Sequence, residues 1–405
     1  MIKPGTIFCP YCCRTHTVPF YYRGDQDVGV ELHYKNDKYY IVEKELVDPT
    51  EPKRGLRTPN PLRGIQLHSA AETAYTGLPA WVDVRLPGDA ELVRMRRACP
   101  HCSRANDKNE LGALPTLIVG MVGNRSSGKS ALLNSTALPQ HQAAVNEEGY
   151  PFLIDVFPYP HHQGRAGATP RMGRGMTKLV TIKHRKSDTP ICHVLLLDVS
   201  GELIENRPLS VTGGQDSNAS DPVSVIDYVS QDELTKILSG TDGYPGVDAV
   251  IFADPVPGSR RSTTELLDFN PAKVMTDCQT LCPNFGRVPM AYVLTHLDYY
   301  YVTKNFPTDS RGYPLMTKDT FLNSRYTPAT LVDRIFTEDA IARHLPNFVP
   351  AGRSKQITKG FLVQSCSCKE EPKDGLVETY TNSKNIMDPL LWILNKLHVF
   401  PLTLD

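Results

Sequence analysis

The stretch LIVGMVGNRSSGKSALLN, residues 117–134, constrains this chain more than any other. An apolar run enters a glycine-bounded loop and leaves it in helix-forming residues. Gly123, Gly128, Lys129 and Ser130 satisfy G-x-x-x-x-G-K-[ST], with a strand predicted before and a helix after. The glycines let the backbone wrap closely around a phosphate with its N–H groups turned inward, and the helix N-terminus adds its positive end. Lys129 is expected to reach the outer phosphates, and the Ser130 hydroxyl to ligate Mg2+. Asn124, Arg125, Ser126, Ser127 and Ala131 complete the expected nucleotide-binding stretch. By itself this loop leaves kinase, ATPase and GTPase open.

Two further strand ends narrow the choice. HVLLLDVSGE places Asp198 at the end of an apolar strand and Gly201 three residues on. A carboxylate there suits a magnesium partner, and the glycine N–H can meet a γ-phosphate. YVLTHLD, residues 292–298, ends another apolar strand in T-x-x-D. Asp298 is positioned to accept two hydrogen bonds from the N1–H and N2–H₂ edge of guanine, a donor pair that adenine lacks.

With GNRSSGKS, DVSGE and THLD in this order, the chain resembles the Ras-like (TRAFAC-class) P-loop GTPases over roughly residues 114–401. The resemblance implies an α/β fold: a mostly parallel sheet with one antiparallel strand and helices on both faces. Thr295 and Asp298 match the family's base-recognition motif, and His296 replaces its lysine. The family's last element, an S-A-K-like turn, falls on Ser365 and Cys366, with Ser367 departing from lysine. A switch threonine that closes on Mg2+ falls on Thr177, ahead of Thr181 and Thr169 as candidates. Glu202 stands where many members carry glutamine. Its negative charge near a γ-phosphate needs an offset. Arg174, in the R-x-x-T spacing of heterotrimeric G-protein alpha subunits, is the candidate to supply it as an arginine finger in cis. The implied activity is slow intrinsic GTP hydrolysis, with Lys129, Thr177, Gly201, Glu202 and Arg174 as the catalytic set.

The alternation of apolar strands with helical stretches from Leu114 onward implies parallel βαβ units independently of the resemblance. Strands are predicted at 116–122, 178–185, 191–198, 247–253, 288–295 and 359–365. Helices are predicted at 129–137, 229–238, 264–282, 329–344 and 386–398. Connections 138–176 and 203–246 are long for a minimal nucleotide-binding domain and read as switch-region insertions. A third extension spans 299–358.

Residues 1–105 read as a separate β-rich module, joined to the rest by a linker at 106–113. Four of the ten cysteines fall in two C-P-x-C knuckles, Cys9 with Cys12 and Cys99 with Cys102. Four thiolates form a closed tetrahedral Zn2+ site with no open position for catalysis, so the module reads as a structural zinc ribbon. Between the knuckles, residues 30–46 and 80–86 are β-like, separated by a loop rich in Pro and Gly. LVRMRRACPHCSR is locally basic, but it lacks interleaved aromatics, so protein docking is favoured over nucleic acid. A zinc ribbon ahead of a Ras-like domain is similar in architecture to GTPases of bacterial multigene conflict or signalling systems.

Lys plus Arg (44) equal Asp plus Glu (44), so the whole chain exerts no bulk pull on nucleic acid or anionic lipid. No apolar run approaches the ~20 residues of a membrane helix, and MIKPGTIFCP lacks a signal-peptide core. The cytoplasm is the expected location. The leading expectation is a Mg2+-dependent GTP-binding switch whose zinc module recruits effector or activating partners. The alternatives are a non-hydrolysing nucleotide-dependent scaffold and an ATPase or P-loop kinase.

Overall fold

A computed structural model describes residues 1–2, 6–9, 13–17, 20–23, 30–35, 38–43, 60–61, 68–69, 81–85, 92–99, 101, 114–123, 127–147, 150–157, 177–199, 231–255, 287–295, 358–363, 367–371, 375–379 and 385–399. The chain divides into two compact units, Met1–Thr116 and Leu117–Asp405.

In the first unit, β1 (Ile7–Phe8) and β2 (Thr15–His16) form a small antiparallel hairpin about the first knuckle. The strands β3 (Phe20–Arg23), β4 (Val30–Lys35), β5 (Lys38–Glu43), β6 (Asn60–Pro61), β7 (His68–Ser69), β8 (Trp81–Arg85) and β9 (Leu92–Ala98) build one sheet. Its order is β6-β5-β4-β3-β9-β8-β7, and its pairings are antiparallel. β3 leaves the first knuckle and β9 runs into the second, and Phe20 lies opposite Ala98. The chain goes out through β4–β6, returns through β7–β9, and so brings its two knuckles back together.

The predicted run at 30–46 is the β4–β5 hairpin, and 80–86 is β8. LVRMRRA, read above only as a basic stretch, is a full strand. An antiparallel strand needs an apolar residue at only every second position. The alternation Val93-Arg94-Met95-Arg96 meets that need, and Met95 is fully buried.

The second unit is built on β10 (Thr116–Val122), β11 (Phe152–Phe157), β12 (Thr177–His184), β13 (Pro190–Asp198), β14 (Ala249–Pro255), β15 (Met290–Thr295) and β16 (Thr358–Leu362). Sheet order is β11-β12-β13-β10-β14-β15-β16. The pairings β10–β14, β14–β15 and β15–β16 are parallel, while β12 runs antiparallel to β11 and β13. β10, β14 and β15 are buried along their whole length, as continuous apolar runs covered on both faces must be. A separate hairpin joins β17 (Ser367–Glu371) and β18 (Gly375–Thr379), where no strand pair had been predicted.

Helices α1 (Lys129–Thr136), α2 (Pro139–Glu147), α3 (Gln231–Ser239) and α4 (Asp388–Lys396) lie in this unit. Leu132 and Leu133 of α1, Val145 of α2 and Leu390–Leu394 of α4 share one core with alternate residues of the sheet. Trp392 is its largest buried side chain, packed on Phe361 with ring centroids 5.8 Å apart. Trp392→Ala is expected to cost about 3–5 kcal/mol, the usual loss for a buried aromatic truncated to a cavity, readable from urea unfolding.

The predicted helices 264–282 and 329–344 and the linker lie outside the described residues. Connection 138–176 is not one irregular loop, since it contains α2 and β11. β11 obeys period two, with Phe152, Ile154 and Val156 buried and Asp155 exposed. α2, PQHQAAVNE, carries no strong apolar stripe; tertiary contacts hold it. Two of its carboxamides, one turn apart, grip the outer edge of β11. Gln142 Oε1 accepts from Val156 N at 3.2 Å and its Nε2 donates to Val156 O at 3.4 Å. Asn146 Oδ1 accepts from Ile154 N at 2.8 Å and its Nδ2 donates to Ile154 O at 2.9 Å. Side chains thus satisfy edge groups that a further strand would otherwise pair. Among the described residues no helix is long and apolar enough to cross a membrane.

Candidate functional site

At the end of β10 the chain turns at Gly123, whose φ of +149° disfavours any side chain. A Cβ here would stand 2.2 Å from the Ala253 carbonyl oxygen of β14. The loop closes at Gly128, left-handed at φ +82°, which is the N-cap of α1. Both glycines are therefore required by backbone geometry. Lys129 opens α1 and is buried, its Nζ donating to Gly123 O at 2.8 Å and to Ser127 Oγ at 3.3 Å. Its ammonium thus ties the entrance of the loop to the exit. No acidic residue stands in the first turn of α1, so the positive helix end and the ammonium lie together with no carboxylate from that turn between them.

The loop is fastened from a third strand. Thr295, at the end of β15 and fully buried, donates its Oγ1 proton toward Ser127 O at 2.7 Å, with Asp254 O at 3.3 Å. Thr295, expected from the sequence in the base-recognition motif, thus bonds through its hydroxyl to the loop that follows β10. Asp254 itself escaped the sequence reading. It is a buried carboxylate at the end of β14, and the Tyr292 hydroxyl donates to its Oδ2 at 2.5 Å. The ring of Tyr292 stacks on Phe252 at 5.9 Å. The signal was present: AVIFADP is an apolar strand ending in aspartate, the pattern that singled out Asp198.

Asp198 ends β13 beside the loop strand, where Val199 N donates to Met121 O at 3.0 Å. It is buried, and strand alternation with Val194 and Leu196 puts it on the α1 side of the sheet. Asp254 alternates with Phe252 and Val250 on the α3 side, the side on which a Cβ at Gly120 would meet Leu238 of α3. Two carboxylates therefore flank the loop strand on opposite faces. On β12, Lys178 lies across from Leu196 and is buried, and this burial lowers its pKa from the ordinary lysine value. Ser130 lies in the first turn of α1, Ala131 follows it buried, and Thr177 opens β12 opposite Leu197. Asn124, Arg125, Ser126, Arg174, Gly201, Glu202, His296, Asp298, Ser365 and Cys366 lie outside the described residues, as do Cys12 and Cys102.

In the first unit Cys9, Cys13 and Cys99 are buried. Cys13 adopts φ +57°, and its N–H donates to Cys9 O at 2.8 Å, closing a tight turn over the first knuckle. At the second knuckle His101 N donates to Cys99 Sγ at 3.3 Å. The two knuckles meet, with His101 Nε2 3.4 Å from Thr15 O and the rings of His16 and His101 edge to face at 6.3 Å. Two of the four cysteines expected to hold zinc, Cys9 and Cys99, are described, and both are buried thiols of a kind that suits that metal. Among the described residues no group of three or more metal-binding side chains is assembled.

No protein-family model matches the chain, and no curated protein does either. Among solved structures the chain is similar to the septin GTPase domain from Chlamydomonas reinhardtii, at 13% identity over 70% of this chain and 93% of that one, with a TM-score of 0.30. It is also similar to the Methanosarcina barkeri Roco2 RocCORdC bound to GDP, at 12% identity over 62% and 44%, TM-score 0.23. A third similarity is to the G domain of the T. maritima FeoB iron transporter, at 13% identity over 47% and 81%, TM-score 0.20.

Proposed function

We propose that the chain is a Mg2+-dependent GTP-binding switch that hydrolyses GTP slowly, and that a zinc ribbon in residues 1–105 recruits its protein partners. The observation that carries this reading is the loop Gly123–Gly128, closed on the buried Lys129 at the head of α1, with Asp198 on the α1 side of the neighbouring strand end.

Lys129 and the backbone N–H groups of the loop hold the β- and γ-phosphates. The Ser130 hydroxyl, Thr177 and Asp198 are the residues that would hold Mg2+, whose chemistry is to neutralise charge between the outer phosphates. The Gly201 N–H meets the γ-phosphate, Glu202 orients water, and Arg174 offsets the carboxylate and the charge of the transition state. Asp298 reads guanine, with His296, Ser365 and Cys366 bordering the base. In the zinc ribbon, Cys9, Cys12, Cys99 and Cys102 supply four thiolates. The buried pair Cys9 and Cys99 and the contact between the knuckles support that assignment.

Base choice gives the test. Asp298→Asn is expected to weaken GTP about 100-fold, the loss of two charge-assisted hydrogen bonds at roughly 1.5 kcal/mol each, and to strengthen xanthosine triphosphate. Calorimetric titration of GTP, ATP and the xanthine nucleotide into both proteins decides it. Equal affinity of the unaltered protein for ATP and GTP, with no change in the variant, would sink the guanine reading.

A further inference from the structure

Asp254 is a buried carboxylate at the rim of an anion-binding loop, and charge of that sign opposes a phosphate. Its surroundings explain its presence. Two contacts of the phosphate loop run to the ends of β14 and β15, and a third ties those two strand ends together. The Ala253 carbonyl stands where a Cβ of Gly123 would be, the Asp254 carbonyl takes Thr295 Oγ1 at 3.3 Å, and the same hydroxyl reaches Ser127 O at 2.7 Å. The last turn of β14 therefore touches the loop's entrance directly and its exit through Thr295. The end of β14 is held by its backbone pairing with β15 and, in addition, by the Asp254 side chain, whose Oδ2 accepts from the Tyr292 hydroxyl of that strand at 2.5 Å. A hydrogen bond to an ionised acceptor is short and strong. Phe252, stacked on Tyr292, keeps the phenol ring in register with it.

We propose that Asp254 and Tyr292 are positioning residues of the phosphate loop. Their hydrogen bond sets the end of β14, and this end in turn sets the path of Gly123 and the carbonyl of Ser127. Asp254 acts through its acceptor oxygen and against the ligand through its charge. The two roles are separable, because asparagine keeps an acceptor oxygen and drops the charge. The proposal rests on the reading of this loop as a nucleotide site.

The test compares Asp254→Asn, Asp254→Ala and Tyr292→Phe in the full chain. The readouts are GTP affinity with a fluorescent analogue and deuterium uptake of the peptide spanning residues 123–128. Asp254→Asn is expected to bind GTP as well as the unaltered protein or up to several-fold better, with unchanged exchange. Tyr292→Phe and Asp254→Ala should each weaken binding about tenfold and speed exchange in the loop. The opposite responses separate positioning from simple stabilisation, which would move all three variants the same way. If Tyr292→Phe does not fold, the contrast between asparagine and alanine at position 254 decides alone. Equal losses in the asparagine and alanine variants, or no loss in either of the truncations, overturn the proposal and leave the nucleotide site standing. Failure of the unaltered protein to bind GTP or ATP removes both.

Discussion

Gly123→Ala is expected to abolish nucleotide binding, a loss of at least about 100-fold. The added Cβ would stand 2.2 Å from the Ala253 carbonyl oxygen and 2.9 Å from Ser127 Oγ. Neither contact can be relieved cheaply. The first is with backbone in a fully buried strand, and the second is with a hydroxyl already engaged by Lys129. The backbone at φ +149° is also one that alanine avoids. The loop must therefore leave β14, and the Gly123 carbonyl that accepts from Lys129 leaves with it. Gly120→Ala offers the contrast. Its Cβ would meet a side-chain methyl of Val247 at 3.2 Å, so some stability but little affinity should be lost. Calorimetric titration of GTP into both variants, with thermal melts as a check on folding, measures the difference. Retained affinity in Gly123→Ala would show that the loop does not hold a phosphate.

Removing zinc is expected to unfold the first unit and leave the second standing. A site with four thiolates adds its binding energy to folding, about 10–16 kcal/mol in zinc-finger peptides. Among the described residues of the first unit, the sheet closes through β3 against β9, the two strands adjoining the knuckles. Cys99→Ser removes a buried sulfur that accepts a backbone N–H from His101, and oxygen makes a poorer zinc ligand. The protein as purified should carry one equivalent of zinc by elemental analysis. Chelation or Cys99→Ser should then make residues 1–116 protease-sensitive while the far-ultraviolet signal of the second unit persists. Zinc-free protein with an unchanged proteolysis pattern would defeat the assignment.

How much could be read from the sequence follows from the range of the interactions. The strand, turn and helix around the loop were legible because its glycines and lysine stand at fixed spacing within one segment; that Lys129 bonds Gly123 O is added by the structure. The β12–β13 hairpin and the central strands were legible from their apolar runs, with bounds shifted by a residue or two. Thr295 stands out at the end of an apolar strand, but its bond to Ser127 O is not legible locally, because only the sheet order puts the end of β15 beside Ser127. Asp254 carries the same strand-end signal as Asp198, but its partner Tyr292 lies 38 residues on and is set beside it only by the pairing of β14 with β15. β9 was hidden by arginines at alternate positions, and its pairing with β3 spans the whole segment between the knuckles. No local pattern encodes such a closure.

The grip of α2 on β11 has a mechanical consequence. α1 runs into α2 through a tight junction, with Ala137 N bonded to Asn134 O, Leu138 N to Ser135 O and His141 N to Leu138 O. At the far end Gln142 and Asn146 hold four backbone groups of the sheet edge. Pulling α2 away strands those groups, at about 1–3 kcal/mol for each that stays buried. The head of α1, its junction with α2 and the carboxamides on β11 thus form one hydrogen-bonded path from the loop at the centre of the sheet to its rim.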